Sequence, residues 1–536
     1  MFPLEPLLGV VKGVRRPGRA GALAAALLSA CGVAEPSGEL GDIDGLGAVE
    51  QSIEKARPGA PGIGDPLFPT LGNGGYEVLH YQLDLRYETA APTQPLDGTV
   101  RIVARATQAL SQLNLDFAGA SIGAVRIGDA VVTAVRDGEE IVITPAQAIA
   151  RGEVFVITVE HFVAVPRVPS SQNFLGAPFF SSRDGSAWVG QPHNAHRIFP
   201  SNDHPSNKAT YSFRIDVPDG TTVVASGVET GVEAAGGRSI HTFEQREPMA
   251  TELVQVAVGA FSVIPRGTTS SGTVVRDVIP TRLVAALDPK LALVTGHLDW
   301  LESLLGNYPF ATYGSLAMEA SLGFAVETQT LSLFQASFFS ASQLSWETTM
   351  VHELAHQWFG DSVAPARWSD VWLNEGHATW YELTFTGGAD SPAFVNSMRT
   401  LYRRGDQYRA SFGPVASPPS GSPLALFNSN VYNGGALALF ALRQRIGDAA
   451  FREVERAWVT RFRGLSATTD DYIALASEVS GLDLTGFLGD WLYGTVTPEM
   501  PGHPEWTVDA ALQSADAAAL LSDGPEIHAH APLLRY

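Results

Sequence analysis

The sequence predicts a two-domain α+β protein in which a β domain precedes a mainly helical domain. Residues from about 65 to 265 alternate apolar and polar side chains with period two, as in 76–85 and 209–217, with glycine-containing turns between the runs. Residues from about 266 to 500 instead show helical periods, beginning with 291–305. We therefore expect a β domain at 65–265 and a helical domain at 266–500.

Composition agrees with a large globular protein and disfavours several classes of partner. The 536 residues are 45% hydrophobic, so the chain can bury sizeable cores and is not of disordered composition. The 35 basic and 56 acidic residues give a formal net charge of -21, which disfavours nucleic acid or an anionic membrane surface as a partner of the folded body. The sequence does not determine the oligomeric state.

The first 30 residues are predicted to be a lipoprotein signal peptide. Basic side chains precede a short apolar run at 20–28, well below the roughly 20 residues that a membrane-spanning helix needs. Residues 28–31 (LSAC) resemble a bacterial lipobox, in which the cysteine is lipidated and becomes the first residue after cleavage. Cys31 is the only cysteine, so no internal disulfide can form and the thiol is best explained as a lipid attachment point. The alternative is a conventional signal peptide followed by an unmodified cysteine.

We therefore expect an exported protein of the bacterial cell envelope, lipid-anchored through Cys31 to the outer face of a membrane, or secreted. Residues 31–64 are rich in Gly, Pro, Ala and acidic side chains, which is typical of a flexible linker. Residues 501–536 are expected to form a C-terminal tail, in which His528 and His530 are solvated and do not bind metal.

A zinc site is indicated by His352, Glu353 and His356, which form an HExxH string. On an α-helix the two imidazoles lie one turn apart on the same face and can bind one metal ion, while Glu353 points beside it. Glu375 follows His356 by nineteen residues and is the predicted third ligand, which leaves the fourth position open as in catalytic sites. We predict one Zn2+ per chain.

The predicted chemistry is amide hydrolysis. Zinc lowers the pKa of a bound water from about 9 toward about 7, and Glu353 is placed to take the proton as general base. The alternative is a chance HExxH string on a surface helix. This is disfavoured because Val351, Leu354 and Trp358 occupy apolar positions typical of a core helix.

Residues 352–361 (HELAHQWFGD) and 372–382 (WLNEGHATWYE) resemble the zinc aminopeptidases of the aminopeptidase N and leukotriene hydrolase family, gluzincins with an HExxH-x18-E pattern. The resemblance implies a saddle-like β-sandwich domain followed by a thermolysin-like, mainly helical catalytic domain. It also implies a zinc metallopeptidase that removes single residues from peptides with a free amino terminus. Residues 200–209 (PSNDHPSNKA) extend the likeness into the first half of the chain.

An aminopeptidase needs a partner for the substrate α-amino group, whose pKa of about 7.7 to 8.0 leaves it largely cationic at neutral pH. The family places a glutamate in a Gly-x-Met-Glu-Asn motif before the zinc helix, and residues 323–328 (GFAVET) resemble it with two replacements. Glu327 is therefore the predicted substrate-binding carboxylate. Glu319, directly after Met318, is a competing candidate, but no strand-like sequence follows it.

Two further roles follow from the resemblance. Tyr432 precedes an apolar helical run, as in the tyrosine motif of the family, and is the predicted oxyanion donor. A packing tyrosine is the alternative. Glu382 lies two helical turns after Glu375, where one family branch has an acidic residue, and is predicted to orient a zinc-bound histidine. An exposed helix glutamate is the alternative.

The segment 191–200 (QPHNAHRIFP) adds a candidate from the β domain. Gln191 resembles the residue that this domain contributes to the amine site in the family. His193 and His196 in the same segment are interpreted as loop histidines, because the predicted zinc site already has its protein ligands.

Three functions remain open at this point. The leading hypothesis is a zinc aminopeptidase. A zinc endopeptidase would share the metal and Glu353 but would not need Glu327, and it would cleave amino-terminally blocked peptides. An inactive peptidase scaffold that serves as a binding protein is disfavoured because every candidate ligand, base and donor is present. The sequence does not specify the preferred amino-terminal residue, the physiological peptide or any epoxide chemistry.

Overall fold

The computed structural model describes residues 54–88, 95–167, 177–234, 236–320, 323–420 and 426–509. These residues belong to one compact unit, Glu54–Tyr536. The predicted signal peptide, Cys31, His528 and His530 lie outside the described residues. Within the described ranges, no helix has both the length and the apolar character that crossing a lipid bilayer requires.

The first half of the described chain is built from β-strands, as the period-two alternation predicted. In the strand Leu96–Ala106, for example, every second side chain is buried. The strands of this half are β1 (Arg57–Pro58), β2 (Tyr76–Arg86), β3 (Leu96–Ala106), β4 (Leu110–Asp116), β5 (Val125–Ile127), β6 (Ala130–Val131), β7 (Thr133–Asp137), β8 (Glu140–Thr144), β9 (Val154–Ala164), β10 (Phe179–Ser181), β11 (Gly185–Val189), β12 (Ala209–Pro218), β13 (Thr222–Ala225), β14 (Val228–Ala234), β15 (Arg238–Met249) and β16 (Gln255–Gly259).

These strands form three sheets around one hydrophobic core. The largest has eight strands in the order β14-β15-β12-β2-β3-β9-β5-β6, and its β12–β2 pair is parallel whereas its other pairs are antiparallel. The other two have four strands each, in the orders β1-β4-β8-β7 and β10-β11-β16-β13. Side chains such as Ile102, Leu113 and Trp188 bring all three sheets into the same core.

The second half is mainly helical around a five-stranded sheet, so the predicted order of a β domain and a helical domain is confirmed. The sheet order is β17-β18-β19-β21-β20. The elements of this half are β17 (Phe261–Thr268), β18 (Val274–Pro280), α1 (Val284–Leu291), α2 (Val294–Leu305), β19 (Thr312–Met318), β20 (Ala325–Val326), β21 (Ser332–Gln335), α3 (Gln343–Ala355), β22 (Ala364–Pro365), α4 (Trp372–Thr384), α5 (Pro392–Arg403), α6 (Gly405–Phe412), a π-helical turn (Asn430–Gly434), α7 (Gly435–Ile446), α8 (Asp448–Arg461), β23 (Ser466–Ala467), α9 (Thr469–Ser480) and α10 (Thr485–Tyr493).

The segment boundaries differ in detail from those expected from composition. Strand β17 pairs with β18 in the five-stranded sheet of the second half. The expected domain boundary at residue 265 falls inside β17, because the alternation of this strand resembles that of the β domain. In the predicted linker, β1 pairs with β4. In the predicted tail, Trp506 is buried and stacks on Phe440 with the ring centroids 5.8 Å apart.

Contacts between the two halves of the chain hold the loop that connects α3 and α4. Lys208, next to β12, donates hydrogen bonds to the backbone carbonyls of Asp361 and Ser362 at 2.6 and 2.8 Å. Asp65 accepts a hydrogen bond from the backbone N–H of Trp368 at 2.8 Å and pairs with His204 at 3.1 Å. The loop between α3 and α4 is thus fixed to the β domain at both ends.

Helices α4 and α7 approach each other at a pair of glycines. A Cβ atom on Gly376 would lie 2.9 Å from the Cα of Gly435, and a Cβ on Gly435 would lie 2.8 Å from the Cα of Gly376. Real side chains do not tolerate such distances, so only glycine allows this crossing. It brings the π-helical turn that contains Tyr432 beside the first turn of α4, which contains Glu375.

Candidate zinc centre and active site

His352 of α3, His356 directly after that helix and Glu375 of α4 converge as the sequence predicted. The Nε2 atoms of His352 and His356 each lie 3.4 Å from Oε2 of Glu375, and all three side chains are buried. Tetrahedral zinc with bonds of about 2.0 to 2.1 Å places its ligand atoms about 3.3 to 3.4 Å apart. The donor set therefore fits zinc in both chemistry and spacing.

Neighbouring acceptors orient both imidazoles. Nδ1 of His352 lies 3.0 Å from Oε2 of Glu382, and Nδ1 of His356 lies 3.1 Å from the backbone carbonyl oxygen of Phe359. Each ring can donate from Nδ1, which leaves Nε2 to bind the metal. Burial opposes a charged imidazole, but the contacts with Glu375 and Glu382 raise the pKa of His352 well above its usual range. Burial raises the pKa of Glu375, yet the histidine charges prevail and lower that pKa to about 2.

A second group of possible ligands overlaps the first. Glu327, Glu353 and His356 also have donor atoms within 4.8 Å of one another. This group has one imidazole and two carboxylates, whereas the first has two oriented imidazoles and one carboxylate, the composition of known catalytic zinc sites. We therefore assign zinc to the first group, which leaves Glu353 and Glu327 beside the metal.

Glu353 has an environment suited to proton transfer. It is only 2% exposed and lies on α3 between the two histidines. Burial, together with the nearby carboxylates of Glu327 and Glu375, raises its pKa to about 8. A carboxylate with a raised pKa binds a proton more readily near neutral pH.

One cavity is lined by the predicted site residues, with two exceptions. Glu382 contacts Nδ1 of His352 and does not line the cavity, and Cys31 lies outside the described residues. Gln191 reaches this cavity from the β domain, and its side-chain amide donates a hydrogen bond to the carboxylate of Glu327. The residues that line the cavity are Gln191, Pro192, Phe324, Ala325, Glu327, His352, Glu353, His356, Glu375, Phe427 and Tyr432.

Tyr432 lies in the π-helical turn that precedes α7, a type of distortion that is frequent at functional sites. Its ring is nearly parallel to that of His352, with the centroids 6.0 Å apart. Burial and the nearby carboxylate of Glu375 raise its pKa well above the usual range. The hydroxyl therefore keeps its proton and can donate a hydrogen bond.

The alternative candidates lie elsewhere. Glu319 forms a hydrogen bond with Arg282 and an ion pair with Arg183 at 3.3 Å, and it does not line the cavity. His196 contacts Asp203 at 2.6 Å, and the ring of His193 packs against Phe68 with the centroids 4.9 Å apart. Among the described residues, neither histidine belongs to a potential metal-binding group.

Sequence reasoning missed the apolar wall of the cavity. Phe324 lies within the motif that predicted Glu327, so its position next to the anchor could have suggested a role. Phe427 lies in a loop and carries no comparable pattern. Both rings are partly exposed, and they give the cavity part of its apolar lining.

Replacing Glu382 by alanine is expected to weaken zinc binding by about 10- to 100-fold, because the ring of His352 loses the acceptor that orients it. Competition with a chelator of known affinity measures this change. Glu453→Ala removes an exposed glutamate from α8 and serves as the control. An unchanged zinc affinity in Glu382→Ala would mean that other contacts orient His352.

A β domain joined to a helical domain with an HExxH helix and a distant glutamate defines a two-domain zinc metallopeptidase. Residues 77–253 match the family model described as Peptidase M1 N-terminal domain, and residues 298–491 match the one described as Peptidase family M1 domain. Together these matches cover more than half of the chain. The chain belongs to peptidase family M1.

Relatives and solved structures agree with this assignment. The chain is 27% identical over 353 residues to aminopeptidase N of Streptomyces lividans and 27% identical over 333 residues to aminopeptidase M1-C of Oryza sativa subsp. japonica. These alignments cover 61% and 58% of this chain but only 40% and 37% of the two relatives.

Among solved structures, the M1 zinc metallopeptidase of Deinococcus radiodurans has a TM-score of 0.70 and 29% identity, over 82% of this chain and 99% of that one. A two-domain M1 zinc metallopeptidase mutant bound to L-arginine has a TM-score of 0.73 and 28% identity, over 82% and 99%. The family and these neighbours imply a single catalytic zinc ion at the site formed by His352, His356 and Glu375.

Proposed function

We propose that this protein is a zinc-dependent aminopeptidase that releases amino-terminal residues from peptides. The observation that carries the proposal is Glu327, a buried carboxylate that lines the same cavity as the zinc donors and is held by Gln191. Neither zinc binding nor proton transfer needs this additional carboxylate. A substrate α-ammonium group does need one, because removing it from water without a partner is costly.

Each polar side chain of the cavity has a separate role in the proposed reaction. Zinc, when bound, polarises the scissile carbonyl and acidifies the attacking water. Glu353 accepts the proton of that water and returns it to the leaving amine. Tyr432 donates a hydrogen bond to the oxyanion, and Glu327 holds the α-ammonium group so that only the first peptide bond reaches the metal.

Solved relatives support peptides as the substrate class. A mutant of the M1 zinc metallopeptidase of Deinococcus radiodurans has been crystallised with the tripeptide substrate Tyr-Ser-Ala, and it is 29% identical to this chain with a TM-score of 0.72. An endopeptidase would share the zinc donors and Glu353 but would have no use for a carboxylate at the position of Glu327.

A panel of aminoacyl amides, each tested free and acetylated, tests the proposal. We expect the free forms to be hydrolysed and the acetylated forms to resist. A zinc chelator should abolish the activity, and added Zn2+ should restore it. Internal cleavage of acetylated peptides would instead establish the endopeptidase, and zinc-loaded protein without any hydrolysis would favour the inactive scaffold.

Replacing Tyr432 by phenylalanine is expected to lower kcat by about 100-fold or more with little change in KM, because the hydroxyl acts chiefly in the transition state. Steady-state kinetics on one aminoacyl amide measures both constants. Tyr493→Phe changes an exposed tyrosine of the same domain that does not line the cavity, and it is the matched control. An undiminished kcat in Tyr432→Phe would transfer the oxyanion role to another donor.

We also propose that the protein is exported and lipid-anchored through Cys31. The support is the sequence alone: a basic and apolar start, the LSAC run and a single cysteine. Mass spectrometry of the mature amino terminus tests this, and we expect a lipidated Cys31 in the wild type and release of the Cys31→Ser variant from membranes. A mature protein with an unmodified Cys31 would favour secretion.

A further inference from the structure

Gln357 directly follows the zinc ligand His356 and contacts the segment that contains Glu327. It lies in the turn after α3 and is 0% exposed. Its Nε2 donates to the backbone carbonyls of Glu327 at 3.2 Å and Thr328 at 3.4 Å. Its Oε1 accepts a hydrogen bond from the backbone N–H of Thr330 at 2.9 Å. One side chain therefore binds three backbone groups of this segment.

The orientation of the Gln357 amide is fixed by these partners. Oε1 also accepts a hydrogen bond from the hydroxyl of Tyr308 at 2.8 Å, so it faces two donors while Nε2 faces two acceptors. A flipped amide would place its NH2 group against the two donors and its oxygen against the two acceptors. Because the site is fully buried, the lost hydrogen bonds could not be replaced by solvent.

Residues 327–331, here called the anchor segment, have a backbone that would not hold this shape alone. Thr330 has φ of 71°, a left-handed conformation that is unfavourable for a β-branched residue. The β domain supports the far end of the segment. The N–H of Gly227 donates to Oγ1 of Thr330 at 2.8 Å, and Gln255 donates to the carbonyl of Leu331 at 3.1 Å.

We propose that Gln357 is a positioning residue that sets the distance between the amine anchor Glu327 and the zinc ligand His356. Gln357 is bonded to the backbone of Glu327, Thr328 and Thr330, whereas the β-domain contacts hold the side chain of Thr330 and the carbonyl of Leu331. Small displacements of a binding group relative to the reacting centre have large effects on substrate positioning. This inference rests on the proposed function, because it gives Glu327 the role of amine anchor.

Two hydroxamate inhibitors isolate the contribution of the substrate amine. L-leucine hydroxamate carries the α-amino group, and 4-methylpentanoyl hydroxamate lacks it, while both offer the same zinc-binding group and side chain. The Ki of 4-methylpentanoyl hydroxamate divided by the Ki of L-leucine hydroxamate measures how well Glu327 binds the amine. For Gln357→Met we expect this ratio to fall by about tenfold, with the Ki of the compound without the amine changed by less than about twofold and full zinc content retained.

The controls separate positioning from general damage. Gln407→Met makes the same substitution at another buried glutamine of the same domain, and no hydrogen bond among the described residues joins Gln407 to the anchor segment. It should retain the wild-type ratio. Should Gln357→Met fail to fold, Gln357→Glu keeps the acceptor oxygen but cannot donate to both carbonyls as a carboxylate, and the ratio should fall there too.

The outcomes are distinguishable. A wild-type ratio near one overturns the proposed function and with it this inference. If the Gln357 variant keeps the wild-type ratio, the inference is overturned and the proposed function stands. Loss of zinc from that variant, or an equal loss of affinity for both inhibitors, also overturns the inference alone.

Discussion

Glu353→Gln is expected to lower kcat by about 10²- to 10⁴-fold while zinc remains bound. Glutamine preserves the shape of the side chain but cannot accept the proton of the attacking water. The structure motivates this prediction because Glu353 lies between the two histidine ligands without belonging to the donor set with the 3.4 Å spacing. Turnover of an aminoacyl amide and elemental analysis of zinc measure the two expectations on one sample.

A matched control lies on the same helix. Glu347→Gln changes the same residue type in α3 at a position that contacts His297 at 3.6 Å and does not line the cavity. We expect it to keep both zinc and activity. Loss of zinc from Glu353→Gln would instead favour the overlapping group of Glu327, Glu353 and His356 as the metal site.

Features with local sequence patterns were predictable. The HExxH spacing places two imidazoles on one helical face whatever the rest of the fold does, and the seven-residue spacing of Glu375 and Glu382 places both on one face of α4. The alternation of the β domain is equally local. These predictions therefore needed no knowledge of tertiary contacts.

Features that depend on contacts distant in sequence were not predictable in detail from spacing alone. Gln191 and Glu327 are 136 residues apart, and only the family resemblance suggested that they meet. Gln357 lies inside the most recognisable motif of the chain, yet its partners are backbone groups of another segment, which leave no trace in residue type. The boundary at 265 falls inside β17 because alternation does not reveal which sheet a strand joins.

Glu327→Ala is expected to weaken kcat/KM for free aminoacyl amides by about 100-fold, because truncating one partner of a buried charge pair typically costs about 2 to 5 kcal/mol. Acetylated amides have no ammonium group to pair, so their slow hydrolysis should change far less. The ratio of the two rates, measured for wild type and variant, reports on the amine contact and cancels general effects on zinc or stability.

Glu319→Ala is the informative control, because Glu319 was the competing candidate from the sequence. Its carboxylate is already engaged by Arg282 and Arg183, and it does not line the cavity, so free and acetylated substrates should keep the wild-type ratio. Equal losses for both substrates in Glu327→Ala would remove the physical basis for exopeptidase selectivity and favour the endopeptidase. If only Glu319→Ala lost activity selectively on free aminoacyl amides, the amine site would be assigned to Glu319 at the end of β19, away from the zinc donors.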